Sequence, residues 1–146
     1  MGRPRYYPSN GGRVAVGRRD MSPYDPGMAS EGTVRRVHVG PHTHWDREWY
    51  RSYQTFRMQL VDLLDELLPA MAADPAYAHF MLDGQMAVVD DYLEIRPEAE
   101  DLIRRLASNG RISMGPWYIL MDEFLVSGES MIRNLQLGLD KAAAFG

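Results

Sequence analysis

The sequence contains no cysteine, and this absence limits both the cross-links and the metal ligands open to the chain. Disulfides, thiolate metal sites and a thiol nucleophile are all excluded. A metal ion, if one binds, must therefore be held by histidine, aspartate or glutamate.

Long apolar runs and an excess of positive charge are also absent. No stretch approaches the ~18 consecutive apolar residues of a membrane span, and the N-terminus lacks the apolar region of a secretory signal. The formal net charge is −4, and no stretch combines Lys or Arg along one face with stacking aromatics. We therefore predict a cytoplasmic protein that binds neither membranes nor nucleic acid.

The 146 residues, 45% of them hydrophobic, suit one globular domain. Residues 1–32 are dense in Gly, Pro, Ser and Arg and show no apolar periodicity, so we predict a flexible N-terminal tail and assign it no function. The folded part is predicted to be 33–146.

Strands and helices alternate in the predicted secondary structure. Val34, Val37 and Val39 indicate a first strand that ends at Gly40-Pro41. The remaining predicted elements are an amphipathic helix over 53–71, a strand over 79–82, a helix interrupted before Pro97, a strand over 111–114 and a helix over 127–144. This order indicates an α/β fold with a parallel sheet, because parallel neighbours need a crossover that is usually helical. Since the sequence stops where another strand should begin, we expect a truncated βαβαβα unit.

His42, His44 and Asp46 follow the first predicted strand. In an extended chain, residues two apart point the same way, so these three side chains are predicted to share one side. Imidazole nitrogen and carboxylate oxygen are ligands for Zn²⁺, and a His-x-Asp pair would supply two of the three or more that a catalytic zinc takes from its protein. The competing interpretation is that the histidines cap the strand end through backbone carbonyls.

Trp45 and Trp49 flank the acid of this segment. A ring beside a carboxylate is suited to the apolar face and hydroxyls of a sugar, although core packing explains a tryptophan equally well. Asp83, Asp122 and Glu123 follow the other two predicted strands and would share the same rim. The alternatives are a helix cap for Asp83 and a solvated turn for Asp122 and Glu123.

Residues 42–49 (HTHWDREW) resemble the opening motif of glycoside hydrolase family 38, the α-mannosidases. Later stretches also resemble the bacterial branch of this family, in the same order: 82–85 (LDGQ), 91–97 (DYLEIRP), 115–118 (GPWY), 122–125 (DEFL) and 128–135 (GESMIRNL). The resemblance covers about residues 34–146.

The resemblance implies retaining hydrolysis of terminal α-mannosides in a seven-stranded β/α barrel-like domain. It implies that His44 and Asp46 bind zinc or another divalent metal, that Asp46 and Trp49 bind the sugar, and that His42 is not a ligand. Asp122 and Glu123 are candidates for lining the site. The nucleophilic aspartate, the last metal-binding histidine and the acid/base carboxylate are expected beyond Gly146, so we expect this chain to be inactive alone and the full-length enzyme to be a candidate homo-oligomer.

Two other functions fit the same residues. A metal-dependent amidohydrolase would use both His42 and His44 as ligands. Alternatively, the chain is an inactive truncated remnant.

Overall fold

The structure, a computed structural model, describes residues 37–146. The predicted tail at 1–32 and Val34 lie outside the described residues. The chain divides into two units, Met1–Val39 and Gly40–Gly146, and the fold below is that of the second unit. Its elements are α1 (Tyr53–Ala73), β1 (Phe80–Leu82), α2 (Ala87–Leu93), a 3-10 turn (Pro97–Ala99), α3 (Glu100–Ser108), β2 (Ile112–Met114) and α4 (Gly128–Ala143).

The helix α1 forms because its apolar residues recur at three- and four-residue steps and bury one face. It extends two residues beyond the predicted end at 71, and its C-cap is Asp74, whose extended backbone (φ −116°, ψ 104°) is the conformation favoured before a proline. Arg57, which the sequence places among the polar positions, is instead buried. Its Nε donates to the carbonyl of Asp91 at 3.0 Å, and its Nη2 forms an ion pair with a carboxylate oxygen of Glu94 at 2.6 Å without the geometry of a hydrogen bond.

The strands β1 and β2 pair in parallel, with Phe80 opposite Ile112 and Leu82 opposite Met114. The crossover between them is the predicted broken helix, which is interrupted before Pro97 because Arg96 takes a non-helical conformation there. The result is a two-stranded parallel sheet with helices, in agreement with the α/β class.

The part of the predicted first strand that lies within the described residues does not form. Residues 37–40 contain no strand, and the pairing is reduced to one parallel bridge between His42 and Met81. The amide of Met81 donates to the carbonyl of Pro41, and the amide of Thr43 donates to the carbonyl of Met81. Pro41 has no N–H to extend this ladder towards the N-terminus.

One hydrophobic core lies between α1, the broken helix and the sheet. Its buried residues are Leu60, Val61, Leu64, Leu67, Leu68, Met71, Phe80, Leu82, Met86, Val88, Val89, Tyr92, Ile103, Leu106 and Ile112. None of the helices within residues 37–146 combines the length and the apolar character that a membrane span requires.

The helix α4 is preceded by Ser127, whose hydroxyl caps it by accepting from the amide of Ser130. It packs through Gly138, where a side chain would overlap the backbone of Pro116 and Trp117. Glycine is therefore required for this close approach. Lys141 also joins α4 to α2 through an ion pair with Asp90 at 2.8 Å.

Candidate active site

The segment 42–48 follows the bridge to β1 and alternates strictly between exposed and half-buried residues. His42, His44, Asp46 and Glu48 are exposed, whereas Thr43, Trp45 and Arg47 are half-buried. This is the period of an extended chain that has one side against the protein. The prediction that His42, His44 and Asp46 share a side is confirmed.

His44 and Asp46 converge. Nε2 of His44 lies 3.7 Å from Oδ1 of Asp46, and their side chains are 74% and 45% exposed. Two ligands that each lie about 2 Å from one tetrahedral ion stand roughly 3.3 Å apart, so this imidazole and carboxylate suit a shared divalent ion. His42 differs, because its Nδ1 lies 2.9 Å from the carbonyl oxygen of Thr43, as the capping interpretation expects.

His44 and Asp46 offer two donors, which is fewer than a catalytic zinc takes from its protein. Within residues 37–146, no group of three or more His, Asp or Glu side chains is arranged to hold a metal ion. The pair by itself therefore does not make up the ligand set of a catalytic zinc.

An open cleft with a volume of about 540 Å³ adjoins these donors. Its lining residues are His44, Trp45, Asp46, Arg47, Glu48, Tyr53, Gln85, Ile119 and Leu120. The lining thus comes from residues 44–48, from the first residue of α1, and from residues that follow β1 and β2. The site lies where the carboxyl ends of parallel strands meet, which is the usual ligand edge of such sheets.

Two buried side chains hold the backbone of Trp45 by hydrogen bonds. The amide of Trp45 donates to Oδ2 of Asp83 at 2.8 Å, and Nε2 of Gln85 donates to the carbonyl of Trp45 at 2.6 Å. Asp83 is therefore not a helix cap, since its carboxylate is occupied by Trp45, Gln85 and the amide of Gly84. Gln85 is a site residue that the sequence does not reveal, because a contact between residues 40 positions apart leaves no local signal.

Arg47 anchors the next inward position. Its Nε and Nη2 donate to the two carboxylate oxygens of the buried Asp91 at 2.6 and 2.7 Å, and this pairing raises the pKa of Arg47. The hydroxyl of Tyr53 donates to the same carboxylate at 2.9 Å. Burial, with the neighbouring Asp91 adding to it, raises the pKa of Tyr53.

The two tryptophans differ in their surroundings. Trp45 packs against the core and meets the ring of Phe56 edge-on, with 6.1 Å between the ring centroids. Trp49 is 77% exposed and is not among the residues that line the cleft. The core-packing interpretation thus applies to Trp45 and not to Trp49.

Asp122 and Glu123 lie in an exposed turn, where the amide of Leu125 donates to the carbonyl of Asp122 at 2.9 Å. Neither side chain lines the cleft beside His44 and Asp46. The solvated-turn interpretation describes their surroundings, and their role in lining the site stays a prediction.

Residues 34–142 match the sequence profile described as the glycosyl hydrolases family 38 N-terminal domain. The chain belongs to glycoside hydrolase family 38. The resemblance inferred from the motifs is thereby confirmed, and membership of a glycosidase family decides against the amidohydrolase alternative.

Named relatives agree with the family 38 assignment. The chain is 45% identical over 112 residues to a "Putative mannosylglycerate hydrolase" of Halalkalibacterium halodurans, covering 77% of this chain. The crystal structure of an alpha-mannosidase from Enterococcus faecalis V583 superposes with a TM-score of 0.70 at 42% identity over 73% of this chain. The crystal structure of a glycosyl hydrolase family 38 protein from Enterococcus faecalis superposes with a TM-score of 0.67 at 38% identity over 74% of this chain. The chain spans 12% of the length of each relative.

Proposed function

We propose that residues 33–146 are the opening part of the catalytic domain of a retaining, metal-dependent α-mannosidase. The observation that carries the proposal is the convergence of His44 and Asp46 on the exposed side of a segment that borders a cleft in a family 38 chain. The remainder of the domain would complete a seven-stranded β/α barrel-like sheet. Under this proposal further strands follow β2, and the two-stranded sheet described above is the beginning of the larger sheet.

His44 and Asp46 would hold zinc or another divalent ion, since they offer one nitrogen and one oxygen donor at 3.7 Å from each other. A divalent ion bound there would orient sugar hydroxyls and stabilise charge that develops on them. Asp46 is thereby committed to binding and is not the nucleophile. The nucleophilic aspartate and the acid/base carboxylate are proposed to follow Gly146, so residues 1–146 alone would be inactive.

The proposed substrate is a terminal α-mannoside, and a mannosylglycerate-type glycoside is one candidate. The exposed ring of Trp49 would pack against the apolar face of the sugar, while Asp46 would fix hydroxyls beside it. Retaining hydrolysis uses two carboxyl groups about 5–5.5 Å apart, one as nucleophile and one as acid and then base. Neither role is assigned within this chain.

The proposal is tested in the product of the complete reading frame by measuring bound metal and mannoside turnover in three variants. His44→Ala and Asp46→Ala should each lose metal and lower turnover at least ~100-fold, because a lost metal removes several kcal/mol of charge stabilisation. His42→Ala should keep its metal. Normal turnover in both His44→Ala and Asp46→Ala would refute the metal site, and metal loss in His42→Ala would show a different ligand set.

A further inference from the structure

The backbone between His44 and Asp46 is held on both sides of Trp45. The peptide group that joins His44 to Trp45 presents its N–H to Asp83 at 2.8 Å. The peptide group that joins Trp45 to Asp46 presents its C=O to Gln85 at 2.6 Å. Each candidate donor residue is thus directly attached to a peptide group that a buried side chain holds.

Asp83 and Gln85 are themselves fixed. Both are buried, and Nε2 of Gln85 donates to Oδ2 of Asp83 at 3.0 Å. The amide of Gly84 donates to Oδ1 of Asp83 at 2.7 Å, and the amide of Leu120 approaches Oε1 of Gln85 at 3.4 Å. Rotating either side chain would leave buried polar groups without partners, which costs about 1–3 kcal/mol each. These two residues are therefore a rigid support.

The side chains of His44 and Asp46 have little else to orient them. Within residues 37–146, the interaction that the structure gives these side chains is their 3.7 Å approach to each other, and the side chain of His44 is 74% exposed and that of Asp46 45%. Their spacing is therefore set by the backbone on either side of Trp45 rather than by side-chain partners.

Building on the metal site proposed above, we propose that Asp83 and Gln85 are positioning residues for the metal. By holding the two peptide groups of Trp45, they keep His44 and Asp46 at ligand spacing before the ion arrives. Residues that orient metal ligands in this indirect way typically contribute 10–100-fold to metal affinity. Neither residue touches the ion, so their effect would act on its affinity through the Trp45 backbone.

Two nearly isosteric variants of the complete protein test this role. Gln85→Glu replaces the amide donor by a carboxylate oxygen, which would face both the carbonyl of Trp45 and the carboxylate of Asp83. Asp83→Asn exchanges one acceptor oxygen for a donor, and asparagine tolerates the left-handed backbone of this position, φ 41°. Each variant should raise the dissociation constant for zinc, measured by titration, at least ~10-fold.

Amide exchange gives a readout that does not depend on activity or on metal. In the metal-free protein, the N–H of Trp45 should exchange slowly, and its protection should fall at least ~10-fold in Gln85→Glu and Asp83→Asn. If neither variant folds, the wild-type rate decides. A Trp45 amide that exchanges as fast as an unprotected one would overturn the proposal.

Asn134 offers a matched control for a general loss of stability. Its carboxamide holds Ile119 in the same manner, accepting from the amide at 2.9 Å and donating to the carbonyl at 2.7 Å. Asn134→Asp should lower the melting temperature as Gln85→Glu does, while zinc affinity and the exchange of Trp45 stay at wild-type values.

The outcomes separate the two proposals. Loss of zinc affinity in Gln85→Glu and Asp83→Asn, with normal affinity in Asn134→Asp, supports the positioning role. Wild-type zinc affinity in both of those variants, or an equal loss in Asn134→Asp, overturns it. Retained zinc in Asp46→Ala would instead refute the proposed metal site, and the exchange of Trp45 without metal would still report whether the backbone is held.

Discussion

Two segments lead from the sheet to the cleft rim, and both carry acidic residues, yet they are supported very differently. In the first, 42–48, every inward residue is tied to another part of the fold: Thr43 to Met81, Trp45 to Asp83 and Gln85, and Arg47 to Asp91. The second, 117–125, is attached only in its first part: Trp117 and Tyr118 bond to the turn after β1 and to the start of α2, and Asn134 of α4 holds Ile119. From 122 to 125 it is an exposed turn.

The difference shows that an acidic residue after a strand is not enough to identify a site. Asp46 projects from a backbone that is held on both sides, whereas Asp122 lies in a turn that is closed by one local hydrogen bond. A metal ligand must stay in place before the ion binds, since ordering it on binding lowers affinity. The comparison therefore favours the first segment as the structural basis of the site.

The largest expected effect comes from releasing Arg47. Asp91→Ala should lower the free energy of unfolding by about 3 kcal/mol, because it removes the carboxylate that Arg47 and Tyr53 share and leaves a partly buried cation unpaired. Urea denaturation measures this. The control is Glu129→Ala, which breaks the exposed pair with Arg133 and should cost under about 0.5 kcal/mol. Equal losses of unfolding free energy in the two variants would mean that the pair of Arg47 with Asp91 stabilises the fold no more than an exposed surface pair does.

A smaller effect is expected where α4 meets the start of the second segment. Gly138→Ala should destabilise by about 2 kcal/mol, because the new methyl group overlaps the backbone of Pro116 and Trp117 and forces the helix outward. Gly128→Ala is the control in the same helix, since open space surrounds that position. Thermal unfolding of the two variants should differ clearly. A stable Gly138→Ala would show that this contact adapts.

Tyr53 provides a test that depends on pH. At pH 8, Tyr53→Phe should cost about 1 kcal/mol through the lost hydrogen bond to Asp91. Because folding raises the pKa of Tyr53, its contribution is complete below the ordinary tyrosine value near 10 and is lost as the pH rises through the folded value. Urea denaturation from pH 8 to 11 should therefore show the two proteins converging. A constant difference would indicate that ionisation of Tyr53 does not affect folding.

The smallest effect is expected in the exposed turn. Asp122→Ala and Glu123→Ala should each change the free energy of unfolding by less than about 0.5 kcal/mol, as exposed substitutions usually do. The same urea titrations measure it. A cost above 1 kcal/mol for either would mean that its carboxylate has a partner in the complete protein, and would weaken the contrast between the segments.

Local patterns in the sequence predict the helices and strands better than they predict the contacts that hold these elements in place. The helices follow from apolar spacing, the break in the crossover follows from Pro97, and the shared side of His44 and Asp46 follows from the period of an extended chain. These depend on neighbours in sequence. The described part of the predicted first strand does not form because β-prone valines do not by themselves provide a pairing partner.

The supports of the site could not be predicted in this way. Asp83 and Gln85 act on a residue about 40 positions earlier, and Arg57 is buried by partners on α2 and just after it. Such contacts exist only once the elements have packed, because no local periodicity encodes them. Aspartate at a strand end fits a helix cap equally well on sequence grounds, and only the packed structure decides between the two.

The alternation of exposed and half-buried residues along 42–48 determines which positions can be substituted during evolution without unfolding the chain. The inward residues carry the attachments to the fold, while the outward residues, His44 and Asp46 among them, have almost no part in folding. Substitutions at outward positions can therefore alter what the cleft binds with little risk of unfolding the chain. Binding in the cleft and attachment to the fold thus depend on alternate residues of one segment.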